Sequence, residues 1–220
     1  SGGFQVWSLG DLRKVFDDRV EFKSPLDGKK IVMYPSDSIQ IQLNLDADII
    51  MVFDDCTDYP STLSEAKKSM ELTHRWALES KKYFDQHSKQ HLLFGIVQGS
   101  EYPELRLKSL EYLTSLNFDG IAIGGLSVGE PREKKTKILK TLAPQLPTHI
   151  PHCAVKGVTP DQLKDIGFEV ILGNAFHLEQ RPGSKLINEF NGLHKFMNWN
   201  GSILTDSGGF QAVSYTHLTL

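Results

Sequence analysis

HLLFGIVQGSEYPELRLKSLEYLTSLNFDGIAIGG, residues 91–125, decides the fold. Leu92 to Val97 is an apolar run of strand length that ends at Gln98. Gly120 to Ile123 is a second such run, ending at Gly124-Gly125, and Pro103 to Leu116 carries helix signals between them. Strand, helix and strand, with nearly continuous apolar strands, argue for a parallel sheet covered by helices. The pattern extends both ways. Asp48 to Phe53 reads as a buried strand ending at Asp54, and 64–87 as a helix. A further helix is expected over 131–142 and a short one over 36–45. Glu169 to Leu172 ends at Gly173-Asn174, and Ser202 to Thr205 ends at Asp206. Thr159-Pro160-Asp161-Gln162 is a cap-like start with proline at the first helical position, so a helix is expected over 159–166. Residues 20–35 break the rhythm: Glu21-Phe22-Lys23 and Lys30 to Met33 flank Asp27-Gly28, a hairpin signal that reads as an insertion on an α/β scaffold.

Composition sets bounds. The 220 residues are 40% hydrophobic, enough for one sizeable core. A formal net charge of −3 gives no global pull toward nucleic acid or an anionic membrane, although a local basic patch stays open. The best local candidate for RNA contact is the helix over 131–142, with Arg132, Lys134, Lys135, Lys137 and Lys140; a solvated helix face is the alternative. Cys56 and Cys153 form neither a CxxC pair nor a zinc-ligand spacing, which favours a reducing compartment. No apolar run approaches the ~18 residues of a membrane span, so no membrane partner and a cytoplasmic setting are expected.

Ser-Gly-Gly-Phe-Gln occurs twice, at residues 1–5 and 207–211. The second copy follows Leu204-Thr205-Asp206 directly. We read this as a chain cut and rejoined around the motif, so that 153–211 belong before 1–150, with the proline-rich stretch 144–157 as the seam of a rearranged gene. The expected division is 1–150 for the middle of the fold, 151–214 for the portion that should precede it, and 215–220 as an unassigned tail.

Five expected strands end in small or polar residues: Asn174, Asp206, Asp54, Gln98 and Gly124-Gly125. In parallel α/β folds, strand carboxyl ends converge on one face, where sites are built. A carboxylate accepts two hydrogen bonds, a glutamine amide donates and accepts, and Gly-Gly exposes backbone N–H groups. The pairing edge of guanine is the complement: Asp54 could accept from N1–H and the N2 amino group, while Gln98 and the Gly125 N–H serve O6. The alternative is structural, with Asp54 capping a turn, Gln98 bonded to backbone and the glycines turning the chain. Asp206 divides likewise between a turn cap before Gly208-Gly209 and a carboxylate placed for proton transfer at a sugar carbon. His177 has no second ligand at helical spacing and reads as a satisfied histidine.

Several of these stretches together resemble the tRNA-guanine transglycosylase family. They are 155–167 (VKGVTPDQLKDIG), 171–177 (ILGNAFH) with Arg181-Pro182-Gly183, 204–211 (LTDSGGFQ), 1–10 (SGGFQVWSLG), 53–60 (FDDCTDYP), 94–100 (FGIVQGS) and 118–131 (FDGIAIGGLSVGEP). The resemblance implies a (β/α)8 TIM-type barrel, here incomplete and permuted. It implies exchange of guanine at the anticodon wobble position for queuine or a 7-deazaguanine precursor, with an aspartate nucleophile and a second aspartate that manages protons. Carried over by motif, the second aspartate is Asp206. The substrate-binding set is Asp54, Gln98 and Gly125 with Cys56 nearby, Gln211 (or its duplicate Gln5) in the pocket wall, Asn174 at the ribose, and Ser207 beside Asp206. The partners implied are a tRNA anticodon loop, the free base and a second copy of the chain.

The order of blocks is inverted relative to the family. The family's Phe-Asp-Cys nucleophile motif with its following Pro-Thr-Arg has no counterpart, nor does its zinc site of closely spaced cysteines and a distant histidine; we expect no metal and no cofactor in this chain. A barrel short of strands leaves sheet edges unpaired, so low stability is expected. A non-catalytic tRNA-binding subunit is the alternative function.

Overall fold

The computed structural model describes residues 6–7, 9–24, 27–88, 90–126, 128–153, 164, 170–174, 178 and 182–206. The chain is α/β. It divides into two compact units, residues 1–157 and 158–220. The helix expected over 159–166 lies, apart from Lys164, outside the described residues, as do His177 and the tail from Tyr215.

In the first unit, β1 (Arg13–Val15), β2 (Val20–Lys23) and β3 (Lys30–Met33) form an antiparallel sheet in that order. The Asp27-Gly28 signal sits between β2 and β3, whose register pairs Phe22 with Ile31. Helix α1 (Pro35–Asn44) leads to a second sheet, wholly parallel, of β4 (Ile49–Met51), β5 (Leu92–Val97), β6 (Gly120–Ile123) and β7 (His152–Cys153). One long helix makes each crossover: α2 (Leu63–His87), α3 (Pro103–Ser115) and α4 (Arg132–Leu142). Strands consecutive in sequence are neighbours throughout, so their carboxyl ends form one continuous edge. Strand β7, absent from the sequence reading, pairs with β6 and belongs to the first unit.

The physical reasons are local. Helix α2 buries Ala66, Met70, Thr73, Ala77, Ser80 and Phe84, a three-or-four spacing that keeps one stripe against the sheet. It starts with a capping box: the Glu65 N–H donates to Thr62 Oγ1 at 3.3 Å, and the Thr62 N–H donates to Glu65 Oε2 at 2.8 Å. Ile50, Leu93 and Ile121, in adjacent strands, are fully buried, each contributing ~1.5–3 kcal/mol by burial. Two strand glycines make room for rings: a Cβ at Gly120 would lie 2.3 Å from Phe94, and one at Gly95 2.8 Å from Phe118. Phe53 stacks on Trp76 with centroids 5.0 Å apart. Trp76 Nε1 donates to the Asp17 carbonyl at 2.8 Å, and Val20, Phe22 and Met33 join the same cluster, which fastens the antiparallel sheet to α2.

In the second unit, β8 (Val170–Asn174) and β9 (Ser202–Asp206) pair in parallel, with α5 (Ser184–Glu189) and α6 (Leu193–Met197) between them in sequence. Asn174 and Asp206 are register partners at the carboxyl ends. Phe190 meets Phe196 edge-on at 5.3 Å.

Candidate functional site

Three successive strand ends of the parallel sheet build the site. From β4 the chain runs through the fully buried Val52 and Phe53 into Asp54, Asp55 and Cys56. Strand β5 delivers Gln98, and β6 delivers Gly124-Gly125. Gln98 Nε2 donates to Asp54 Oδ2 at 2.8 Å, and Cys56 Sγ donates to the same oxygen at 3.6 Å. Asp54, Cys56 and Gln98 are only 5%, 6% and 1% exposed. At that burial a lost hydrogen bond is not recovered from water.

The backbone at each strand end is held by a side chain from α2 or α3. On α2, Thr73 Oγ1 accepts the Asp55 N–H at 3.0 Å, and Ser69 Oγ donates to the Asp55 carbonyl at 3.1 Å. On α3, Ser109 Oγ accepts the Gln98 N–H at 3.2 Å. Arg106, also on α3 and wholly buried, donates from Nε to the Ser100 carbonyl at 2.6 Å. Its Nη1 and Nη2 donate to the carbonyls of Gly124 and Gly125 at 2.8 and 2.9 Å. Gly125 has φ +58°, and a Cβ there would sit 2.1 Å from Gln98 Oε1. Glycine is therefore required twice over, by backbone conformation and by the approach of the Gln98 amide. Beyond it, Glu130 Oε2 accepts the Val128 N–H at 2.9 Å, and Glu130 Oε1 faces Lys135 Nζ at 3.7 Å.

Burial dominates the electrostatics. It pushes the Cys56 thiol up, with the Asp54 and Asp55 carboxylates adding to the effect, so Cys56 is a neutral donor at neutral pH rather than a thiolate. Burial also raises the Asp55 carboxyl. His74 on α2, whose Nε2 pairs with Ser109 Oγ at 3.0 Å, is pushed down to about 4 by burial and is neutral. Arg106 is lowered by burial to about 10, with Glu130 opposing, and keeps its charge at neutral pH. A cleft of about 590 Å³ opens between Arg13 and Val15 of β1, the segment Asp55, Cys56 and Asp58, and Ser69, Leu72 and Arg75 of α2; of the site residues Cys56 lines it, and Asp54, Gln98 and Gly125 do not.

Of the residues singled out from sequence, Asp54, Cys56, Gln98 and Gly125 come together here. Asn174 and Asp206 pair in register within the second unit. Ser207, Gln211 and Gln5 lie outside the described residues. On α4, Arg132, Lys134, Lys137 and Lys140 are exposed, whereas Lys135 is buried and leaves the basic face; Lys134 also pairs with Glu101. Arg106, Ser109, His74 and Glu130 were not singled out. Arg106 had a visible signal, because it occupies the stripe 106, 109, 110, 113 that α3 buries. Among the described residues no three His, Cys, Asp or Glu side chains are placed to hold a metal ion. Among the described residues, too, no helix is long and apolar enough to cross a membrane.

Comparison of the sequence with known proteins identifies its relatives. The profile of the family described as "Queuine tRNA-ribosyltransferase" matches residues 1–154 and, separately, 152–220. A queuine tRNA-ribosyltransferase of Shewanella sp. (strain ANA-3) is 48% identical over 163 residues, which is 74% of this chain and 44% of that protein. The queuine tRNA-ribosyltransferase of Histophilus somni (strain 129Pt) is 48% identical over 74% of this chain and 43% of its own length. That of Haemophilus influenzae (strain PittEE) is 47% identical over the same share of this chain. The matched region spans less than half the length of these curated relatives. The chain belongs to the queuine tRNA-ribosyltransferase family.

Proposed function

We propose that this chain carries the base-recognition part of a tRNA-guanine transglycosylase, an enzyme that exchanges guanine at the anticodon wobble position for queuine or a 7-deazaguanine precursor. The observation that carries the reading is the buried Asp54–Gln98 pair beside the backbone of Gly125. Asp54 accepts N1–H and the N2 amino group of the base, while the Gln98 amide and the Gly125 N–H donate to O6. In the free protein Gln98 Nε2 occupies Asp54 Oδ2. The arriving base replaces that donor with its own and releases the amide to serve O6, so one charge-assisted hydrogen bond is exchanged rather than lost. Cys56 stays a thiol and closes the pocket wall against the same oxygen.

Asp206 is the proposed proton-managing carboxylate, with Asn174 serving the ribose, Ser207 in the substrate-binding set beside Asp206, and Gln211 in the pocket wall. The covalent step is assigned to no residue of this chain. We read the parallel strands as parts of a (β/α)8 barrel in permuted order, with β2–β3 as an insertion. Two separate family matches meeting at 152–154 support the permutation, and so does the repeated Ser-Gly-Gly-Phe-Gln. The proposed partner is a tRNA anticodon loop, whose unstacked bases allow chemistry on one of them, and a cytoplasmic setting goes with it. The exposed Arg132, Lys134, Lys137 and Lys140 of α4 are the local surface offered to phosphates.

Calorimetric titration of the full chain with guanine tests the pocket. Asp54→Asn, which puts an amide in place of a double acceptor, should weaken binding by about 10–100-fold. Equal binding by both proteins would sink the assignment.

A further inference from the structure

We infer that Arg106 is a positioning residue that sets selectivity for a carbonyl oxygen at position 6 of the bound purine. This rests on the proposed base pocket. Arg106 does not reach the base; it acts through the Gly124-Gly125 backbone.

A trans peptide is planar, with its C=O and N–H pointing to opposite sides. The Gly124 carbonyl points at Arg106 Nη1 and the Gly125 carbonyl at Nη2. The N–H groups sharing those two peptides, on Gly125 and Leu126, are thereby turned away from Arg106. A side chain with one donor direction could hold one of these carbonyls. The guanidinium fork holds both, while its Nε holds the Ser100 carbonyl just past β5. Arg106 thus ties the ends of β5 and β6 to each other and fixes which way the Gly125 donor faces. The position is built for it. Gly99 has φ +137°, and a Cβ there would meet Arg106 N at 2.8 Å and Arg106 Cγ at 2.9 Å, so glycine admits the arginine stem against the strand end. The buried charge is balanced by Glu130, itself engaged with the Val128 N–H and Lys135.

A merely structural arginine would, when replaced, weaken all purines alike. A positioning arginine affects only what the Gly125 N–H reads. Guanine, hypoxanthine and 2,6-diaminopurine separate the two cases. Hypoxanthine keeps O6 and lacks the N2 amino group, whereas 2,6-diaminopurine keeps the N2 amino group, carries an amino group in place of O6 and has an acceptor at N1. The N1 change faces Asp54 in wild type and Arg106→Lys alike, so a change in preference between the two proteins reads position 6. The three bases are titrated into the full chain, Arg106→Lys and Asp54→Asn. Arg106→Lys keeps the charge and loses the fork. It should lower the preference for guanine over 2,6-diaminopurine about tenfold and leave the preference for guanine over hypoxanthine unchanged. A uniform drop for all three bases, or no change, overturns the inference. Failure of wild type to bind guanine, or equal binding by Asp54→Asn, overturns the pocket itself and is thereby distinguished. If Arg106→Lys does not fold, amide exchange in wild type decides: the Gly125 amide should slow with guanine and not with 2,6-diaminopurine. Unchanged exchange with guanine overturns the inference.

Discussion

Gly125→Ala probes the tightest contact in the site, and Gly10→Ala is its control. Both glycines lie in the left-handed region, at φ +58° and +54°. An alanine pays the same backbone strain at each, ~1–2 kcal/mol. Around Gly10 nothing lies within 4 Å of the added Cβ, so strain is its whole effect. At Gly125 the Cβ would sit 2.1 Å from Gln98 Oε1. That amide is 1% exposed and tied through Nε2 to Asp54. Moving it breaks a buried hydrogen bond to a charged group, ~1.5–3 kcal/mol. The sum is ~2.5–5 kcal/mol for Gly125→Ala against ~1–2 kcal/mol for Gly10→Ala. Urea denaturation of both variants measures the difference, and guanine titration measures its effect on the site. Equal stability losses, with guanine affinity in Gly125→Ala within about twofold of wild type, would refute the stated packing of Gln98.

Other expectations follow from the same contacts. Thr62→Ala removes the cap of α2 and should lower stability by ~1 kcal/mol in urea denaturation. His74 is held at about 4 in the fold against 6.5 in the unfolded chain, so between those values the unfolded state binds the extra proton. Its contribution is complete above about pH 6.5 and is lost as pH falls toward 4; His74→Gln should flatten the acid limb of the stability profile, and an unchanged limb would count against the buried neutral ring. Cys56, 6% exposed and with its thiol pushed up, should resist iodoacetamide in the native chain and react in urea, read by peptide mass mapping.

The order of elements was legible because apolar strands and amphipathic helices alternate cleanly from Ile49 to Leu142. Asp54, Gln98 and Gly125 were legible for a related reason: each follows an apolar run, where a parallel sheet presents its carboxyl edge. Strand β7 was not. His152 and Cys153 lie among Pro144, Pro147 and Pro151, and two residues carry no period. The helix face of α4 misled in part, because Lys135 shares the buried stripe with Ile138, Leu139 and Leu142 and pairs with Glu130. His74 and Ser109 face each other across α2 and α3, a contact between residues distant in sequence that no local pattern encodes.

A hydrogen-bonding pattern discriminates only if it cannot rotate to suit a wrong ligand. Under the proposed reading, adenine would set its N1 acceptor against the Asp54 carboxylate and its amino donor against the Gly125 N–H. Each opposition leaves buried groups unpaired at ~1–3 kcal/mol, provided the site holds still. A mobile loop would swing the Gly125 peptide over, present its carbonyl and recover one of the two. The helix-borne anchors oppose that escape: Thr73 and Ser69 on Asp55, Ser109 on Gln98, and Arg106 on both glycine carbonyls. Three strand ends therefore supply the groups for the ligand, and two helices, α2 and α3, supply the restraints on them. Because the restraints lie on α2 and α3, the packing that docks those helices on the sheet is also what makes the site selective.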